Sequence, residues 1–205
     1  MKTLVLSPKI SIDKHKKINF HIDQDLSNFL SLLKVKILPV VFKNNNKLDL
    51  NSVKYAHGLI LAGGGDISKI RKNKINQIRD NYEKKLFNHF HKKNKPILGI
   101  CRGFQLIADL YKIKLFKVRG HVRKSHRLII KKNKYILCKK LIVNSFHNYS
   151  LRDLPKNFVN LSSTNDGSIE IASHKSKRIL CLMFHPERSM KSKSLILKSI
   201  KKFFK

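Results

Sequence analysis

The sequence predicts an α/β fold, a mostly parallel central sheet flanked by helices, with a second half richer in strands than the first. Two patterns carry that expectation. Before Leu115, apolar runs of four to seven residues alternate with longer stretches of helical period, as when buried parallel strands are joined by crossover helices. After Leu115 the apolar segments shorten and crowd together. With 205 residues and 23.9 kDa, residues 1–205 fit a single domain that buries about two-thirds or more of its unfolded surface.

The elements follow in order. Strands are expected at Thr3 to Ser7, Lys36 to Phe42, Gly58 to Ala62 and Pro96 to Ile100, and helices at Asp25 to Leu33, Asn76 to Lys93 and Gly103 to Tyr111. The second half offers short strand segments at Arg127 to Ile130, Tyr135 to Leu137, Leu141 to Asn144, Phe158 to Ser162, Ser168 to Ser173 and Arg178 to Met183. Ser189 to Phe204 sets Leu195, Ile196, Ile200 and Phe204 on one helical face and lysines on the other, the pattern of a helix packed on a sheet rather than a membrane anchor.

Composition narrows the function classes. No apolar run approaches the roughly 18 residues of a membrane helix, and the first ten residues lack the form of a secretory signal, so a cytoplasmic protein without membrane contact is expected. Cys101, Cys138 and Cys181 are odd in number and contain no C-x-x-C pair, which excludes a disulfide framework. Cys138 and Cys181 lie in apolar strings and read as small buried hydrophobes. The net charge of +33 would suit nucleic acid, but only nine of the 45 basic residues are Arg, and the lysines are spread along the whole chain beside many Asn. Nucleic acid is therefore not the expected partner, whereas an anionic small molecule suits the charge. His121, His126 and His147 have no spacing that defines a ligand set, so neither metal nor cofactor is expected.

A candidate nucleophile stands at one junction. Pro96 to Ile100 is a short apolar strand, a helical pattern begins at Gly103, and Cys101 lies between. In such a G-x-C-x-G elbow, Gly99 and Gly103 let strand and helix pass closely, and the helix N-terminus favours thiolate through its free N–H groups and dipole. The competing reading is an inert cysteine in a connection.

A cysteine nucleophile needs an oriented base. Of ten histidines, only His185 directly follows an apolar strand-like run, and Glu187 stands two residues on across Pro186. His-Pro-Glu by itself also suits a helix start. Glutamates number only three, however, and the pairing of elbow and histidine is more specific than either alone. Oxyanion donors are expected from the turn Gly63-Gly64-Gly65-Asp66, through the N–H of Gly64 or Gly65, and from the N–H of Arg102. A dinucleotide fingerprint is the rival use of such glycines, but G-x-G-x-x-G is absent.

These motifs resemble the class I glutamine amidotransferase-like hydrolases, within them the γ-glutamyl-γ-aminobutyrate hydrolase branch, peptidase family C26. The resemblance rests on Gly63 to Asp66, Arg79-Asp80 with Glu83, Leu98 to Gly103 with Gln105, Val143 to His147, Asp166 to Glu170, and Phe184 to Glu187. It implies a flavodoxin-like sheet, a Cys101–His185–Glu187 triad and a γ-glutamyl thioester on Cys101, with release of glutamate and an amine. It further implies that Gln105, Asn144, Ser145, Phe146 and His147 bind the glutamyl moiety, and that Asp166 and Glu170 line the rim on the leaving-group side. Relatives of this kind include hydrolases of γ-glutamyl nucleotide conjugates, such as a γ-glutamyl-CDP-amidate, and amidotransferase subunits that deliver ammonia to a separate synthetase partner. No feature of the sequence demands an oligomer. Where the branch usually carries Gly-Gly after the nucleophile helix, this chain has Lys112 and Ile113.

Overall fold

The computed structural model describes residues 1–40 and 48–205; the expected strand positions Val41 and Phe42 lie outside the described residues. Five strands run parallel: β1 (Thr3–Ser7), β4 (Lys36–Pro39), β5 (Gly58–Leu61), β6 (Ile97–Ile100) and β13 (Ile179–Leu182). Antiparallel β12 (Ile169–His174) and β11 (Phe158–Ser163) extend them into a seven-stranded sheet of order β11-β12-β13-β6-β5-β1-β4. The mostly parallel sheet and its strand-rich extension are the architecture the sequence predicts.

Period-two alternation divides the buried side chains between two faces. Leu4, Leu6, Ile60, Leu180 and Leu182 pack with α1 (Gln24–Leu32) and α4 (Lys193–Phe203). Val5, Leu59, Leu61 and Cys181 pack with α2 (Lys74–Lys92) and α3 (Arg102–Leu110). Asp23 caps α1 by accepting from Leu26 N, and Asn73 caps α2 by accepting from Asn76 N. Cys181 is fully buried, and burial pushes its thiol well above the usual range, as expected of a core cysteine.

Four features differ from the expectations above. A hairpin of β2 (Lys9–Ile12) and β3 (Ile18–His21) is not foreshadowed by the sequence pattern; the Asp13 carboxylate accepts from the N–H groups of His15 and Lys17 and makes its turn. Tyr135 to Leu137 is no strand, because the Asn133 side chain accepts from the Tyr135 and Ile136 N–H groups and Ser199 of α4 accepts from Leu137, removing those donors from any ladder. The final helix begins at Lys193 rather than Ser189, since Ser192 is first tied to Ile142 through side chain and backbone. The expected strand Arg127 to Ile130 is the end of a longer one, β8 (Val122–Ile129), which stops one residue short of Ile130 and pairs with β9 (Lys140–Phe146), while β7 (Phe116–Lys117) pairs with β10 (Tyr149–Ser150). Lys112, where the resemblance expects glycine, has φ +58°, so the left-handed turn after α3 persists with a side chain in it.

Candidate active site

The strand order explains the meeting of residues 84 positions apart. In β13-β6-β5, Leu182 pairs with Ile100 and Leu61 with Gly99, so three neighbouring strands end at one edge of the sheet. β6 delivers Cys101, β13 leads to His185, and β5 leads to the Gly63-Gly64-Gly65 turn. Loops at the carboxyl ends of parallel strands are where open α/β sheets form their sites.

Cys101 occupies φ +48°, ψ −101°, outside the regions open to L-residues without strain, and its N–H donates to Leu182 O at 2.7 Å. The side chain makes no capping bond to α3. A methyl group at Gly103 would lie 2.2 Å from the Leu61 carbonyl oxygen, so only glycine lets α3 leave β6 at this angle.

His185 is 3 % exposed. Its Nδ1 lies 2.6 Å from Glu187 Oε1, which fixes the Nδ1–H tautomer and leaves Nε2 for Cys101. Burial disfavours the imidazolium, but the charge of Cys101, a hydrogen bond with it and the Glu187 carboxylate together push the pKa up to about 10. The arrangement therefore favours the protonated His185 ring.

Asn144 brackets the same histidine: its Nδ2 donates to His185 O at 2.8 Å, and His185 N–H donates to its Oδ1 at 2.9 Å. Nor does Gly63 serve only as turn: a Cβ there would meet His185 Cε1 at 2.6 Å and Cys101 Cβ at 3.5 Å. Gly63→Ala is therefore expected to displace the imidazole and lower kcat/KM by roughly 100-fold, with folding retained by circular dichroism. Unchanged kinetics would refute this close packing.

The glycine turn is held from behind. The Arg79 guanidinium donates to Gly64 O at 2.6 Å, Ala62 O at 3.0 Å and Gly63 O at 3.3 Å. In a trans peptide the N–H points opposite its carbonyl, so the Gly64 and Gly65 N–H groups face away from Arg79. Gly64 and Gly65 both adopt positive φ. Arg79 in turn pairs with Glu83, while the Arg102 side chain pairs with Glu83 and Asp80 and donates to Asp66 O. The sequence motifs give Arg102 a role only through its backbone and give no role to Arg79, Asp80 and Glu83. The spacing of Arg79 and Glu83 on a helix is the signal that could have found them.

Of the expected glutamyl-binding residues, Asn144 and Phe146 touch His185, while Gln105, Ser145 and His147 have their side chains engaged elsewhere. Gln105 Nε2 donates to Tyr149 O at 3.0 Å, Ser145 Oγ to His121 O at 2.6 Å, and His147 contacts Tyr149 O and Glu170. Phe146 meets the His185 ring edge-on at 6.0 Å and carries the Arg188 guanidinium over its face at 4.5 Å. Asp166 is partly exposed, but Glu170 is fully buried and so does not line a rim. Beside His185 opens a cavity of about 590 Å³ whose walls include Lys9, Phe20, His21, Gly64 and Arg188. The β2–β3 hairpin supplies Lys9, Phe20 and His21.

Residues 13–187 match the peptidase C26 family model. The chain is 34 % identical over 155 residues to the γ-glutamyl-CDP-amidate hydrolase of Campylobacter jejuni, covering 72 % of this chain and 74 % of that protein. It is 29 % identical over 163 residues to the glutamine-hydrolysing GMP synthase subunit of Methanococcus aeolicus, covering 78 % and 80 %. A glutamine amidotransferase from Thermotoga maritima superposes with a TM-score of 0.71 at 13 % identity, over 98 % of this chain and 95 % of that one, a likeness of fold. Among the described residues no helix is long and apolar enough to cross a membrane.

Proposed function

The chain belongs to the peptidase C26 family of glutamine amidotransferase-like hydrolases, and from that premise we propose that it hydrolyses a γ-glutamyl amide bond through a Cys101–His185–Glu187 triad. The observation that carries this reading is the buried line from Glu187 through His185 to Cys101, facing a glycine turn. Cys101 thiolate attacks the γ-carbonyl, and the N–H groups of Gly64 or Gly65 and of Arg102 receive the developing oxyanion. His185 gives its proton to the leaving amine and then draws one from the water that resolves the thioester, while Glu187 keeps the ring oriented. Glutamate leaves last.

The leaving group bears phosphate in this reading. Lys9, His21 and Arg188 surround the cavity beside His185, Phe20 offers an aromatic surface, and a similar protein acts on a γ-glutamyl-CDP-amidate. A second reading, in which the chain passes ammonia to a synthetase, is favoured by the likeness to the glutamine-hydrolysing GMP synthase subunit. Glutamate release from glutamine, uncharged γ-glutamyl amines and γ-glutamyl nucleotide conjugates separates them. The nucleotide conjugate is expected to have the highest kcat/KM, and Arg188→Met to erode that preference by roughly tenfold, the worth of one charge-assisted hydrogen bond. Better turnover of uncharged amines would remove the phosphate-bearing substrate. Weak glutaminase activity alone, raised by an added synthetase, would establish the second reading.

A further inference from the structure

Away from the triad, a second group of polar side chains is buried without complete partners. His121 precedes β8, His147 follows β9 and Glu170 lies on β12, and all three are at most 3 % exposed. His147 Nε2 stands 3.3 Å from Glu170 Oε1, and His121 Nδ1 stands 3.7 Å from the same oxygen. One ligand atom from each of the three lies within 4.8 Å of the others. Among the described residues, neither His121 Nδ1 nor Glu170 Oε2 has a hydrogen-bond partner.

The outward nitrogens explain why the inward ones converge. His121 Nε2 lies 3.0 Å from Asp166 Oδ2, and His147 Nδ1 lies 3.1 Å from the Tyr149 carbonyl oxygen. Both partners accept, so each ring can keep a proton on its outer nitrogen and offer the inner nitrogen to an ion beside the Glu170 carboxylate. Two lone pairs and a carboxylate directed at one point form a site that a cation fills, either a metal ion or protons carried by the rings. A carboxylate or carbonyl behind each imidazole is also the support found around histidine metal ligands.

We propose that His121, His147 and Glu170 bind one Zn²⁺, with Asp166 and the Tyr149 carbonyl orienting the two imidazoles. Two nitrogens and one carboxylate oxygen are a zinc ligand set, with water as the fourth ligand. At metal–ligand lengths near 2.0–2.1 Å, tetrahedral neighbours stand about 3.3 Å apart; the two histidine–Glu170 separations are 3.3 and 3.7 Å, and the widest pair of ligand atoms, within 4.8 Å, closes as the ion binds. Access runs through a cavity of about 530 Å³ lined by His121, His126, Arg127, Thr164 and Asp166. The ion would clamp the β8–β9 hairpin to the main sheet. The sequence conceals this set because its members are 26 and 23 residues apart, with no short repeat of ligands.

The test titrates the full chain carrying Cys101→Ala, so that the triad offers no thiolate, with Co²⁺ followed by visible absorption and then with competing Zn²⁺. One equivalent of four-coordinate Co²⁺ is expected, without a sulfur charge-transfer band, displaced by Zn²⁺ and lost in His121→Ala and Glu170→Gln. Asp166→Asn, at a partly exposed position, is expected to weaken binding by about 10–100-fold. Absence of stoichiometric binding, a thiolate band, or binding unchanged by His121→Ala overturns the proposal and leaves a proton on His121 as the link between Asp166 and Glu170. Should His121→Ala or Glu170→Gln fail to fold by circular dichroism, undiminished affinity in Asp166→Asn overturns it equally.

Discussion

Cys101→Ala is expected to lower kcat/KM for glutamate release by roughly 10⁴-fold or more, because the residual glycine turn and substrate binding cannot replace the bond-forming atom. The fold should persist: alanine keeps the Cβ and the backbone bond from residue 101 to Leu182 O. Cys101→Gly should be equally inactive but more stable by about 1 kcal/mol, since glycine occupies the φ +48° conformation without the penalty paid by L-residues. Kinetics with the preferred γ-glutamyl amide and thermal melts of the three proteins check both statements. Substantial activity in Cys101→Ala would end the covalent mechanism. The pH profile supplies a further check. His185 is pushed up to about 10 by the pairing with Cys101 and Glu187, against burial, so its proton is present at neutral pH and lost as pH rises through that value. Activity should therefore decline on the alkaline side near pH 10, where the acid for the leaving amine disappears.

Glu83→Gln is expected to cost about 3–5 kcal/mol of stability, the scale for removing one partner from a buried charge network. Glu83 is fully buried and accepts from Arg79, Arg102 and Ser7. Its loss leaves two buried guanidinium groups poorly balanced, and a fall in Tm of about 6–20 °C follows for a chain of this size. Burial alone would raise the Glu83 pKa, but Arg102 and Arg79 hold it below its ordinary 4.5. A depressed carboxylate stabilises the native state above its unfolded pKa, and that contribution is lost as pH falls below about 4.5 through the native value. Melts at neutral and acid pH should accordingly show a smaller acid-side loss in Glu83→Gln than in the wild type. A near-unchanged Tm at neutral pH would show that the network is not what secures the turn. Activity should fall with stability, because Arg79 holds the carbonyls of the glycine turn and Arg102, the residue after the proposed nucleophile, holds Asp66 O.

The line between sequence and structure runs through particular residues. Cys101, His185 and Glu187 are legible as candidates because each lies at or just past the end of an apolar run, and runs of that kind mark buried parallel strands before their order in the sheet is known. The elbow glycines are equally legible, since close passage of β6 and α3 leaves room for nothing larger. Elements hidden from the pattern, such as the β2–β3 hairpin, have short strands whose alternation is weak against a chain rich in lysine throughout. Tyr135 to Leu137 has the composition of a strand, yet Asn133 and Ser199 take its donors.

Local pattern by itself determined the α/β class, the order of most elements and the candidates for nucleophile and base, because hydrophobic periodicity and glycine punctuation act within a few residues. Tertiary structure alone decided that Arg79 restrains the glycine turn, that Asn144 brackets His185, and that His121, His147 and Glu170 converge. Those roles depend on strand order and on which hydrogen-bond partners remain after burial, and a buried polar group acquires its partner across the fold rather than along the chain.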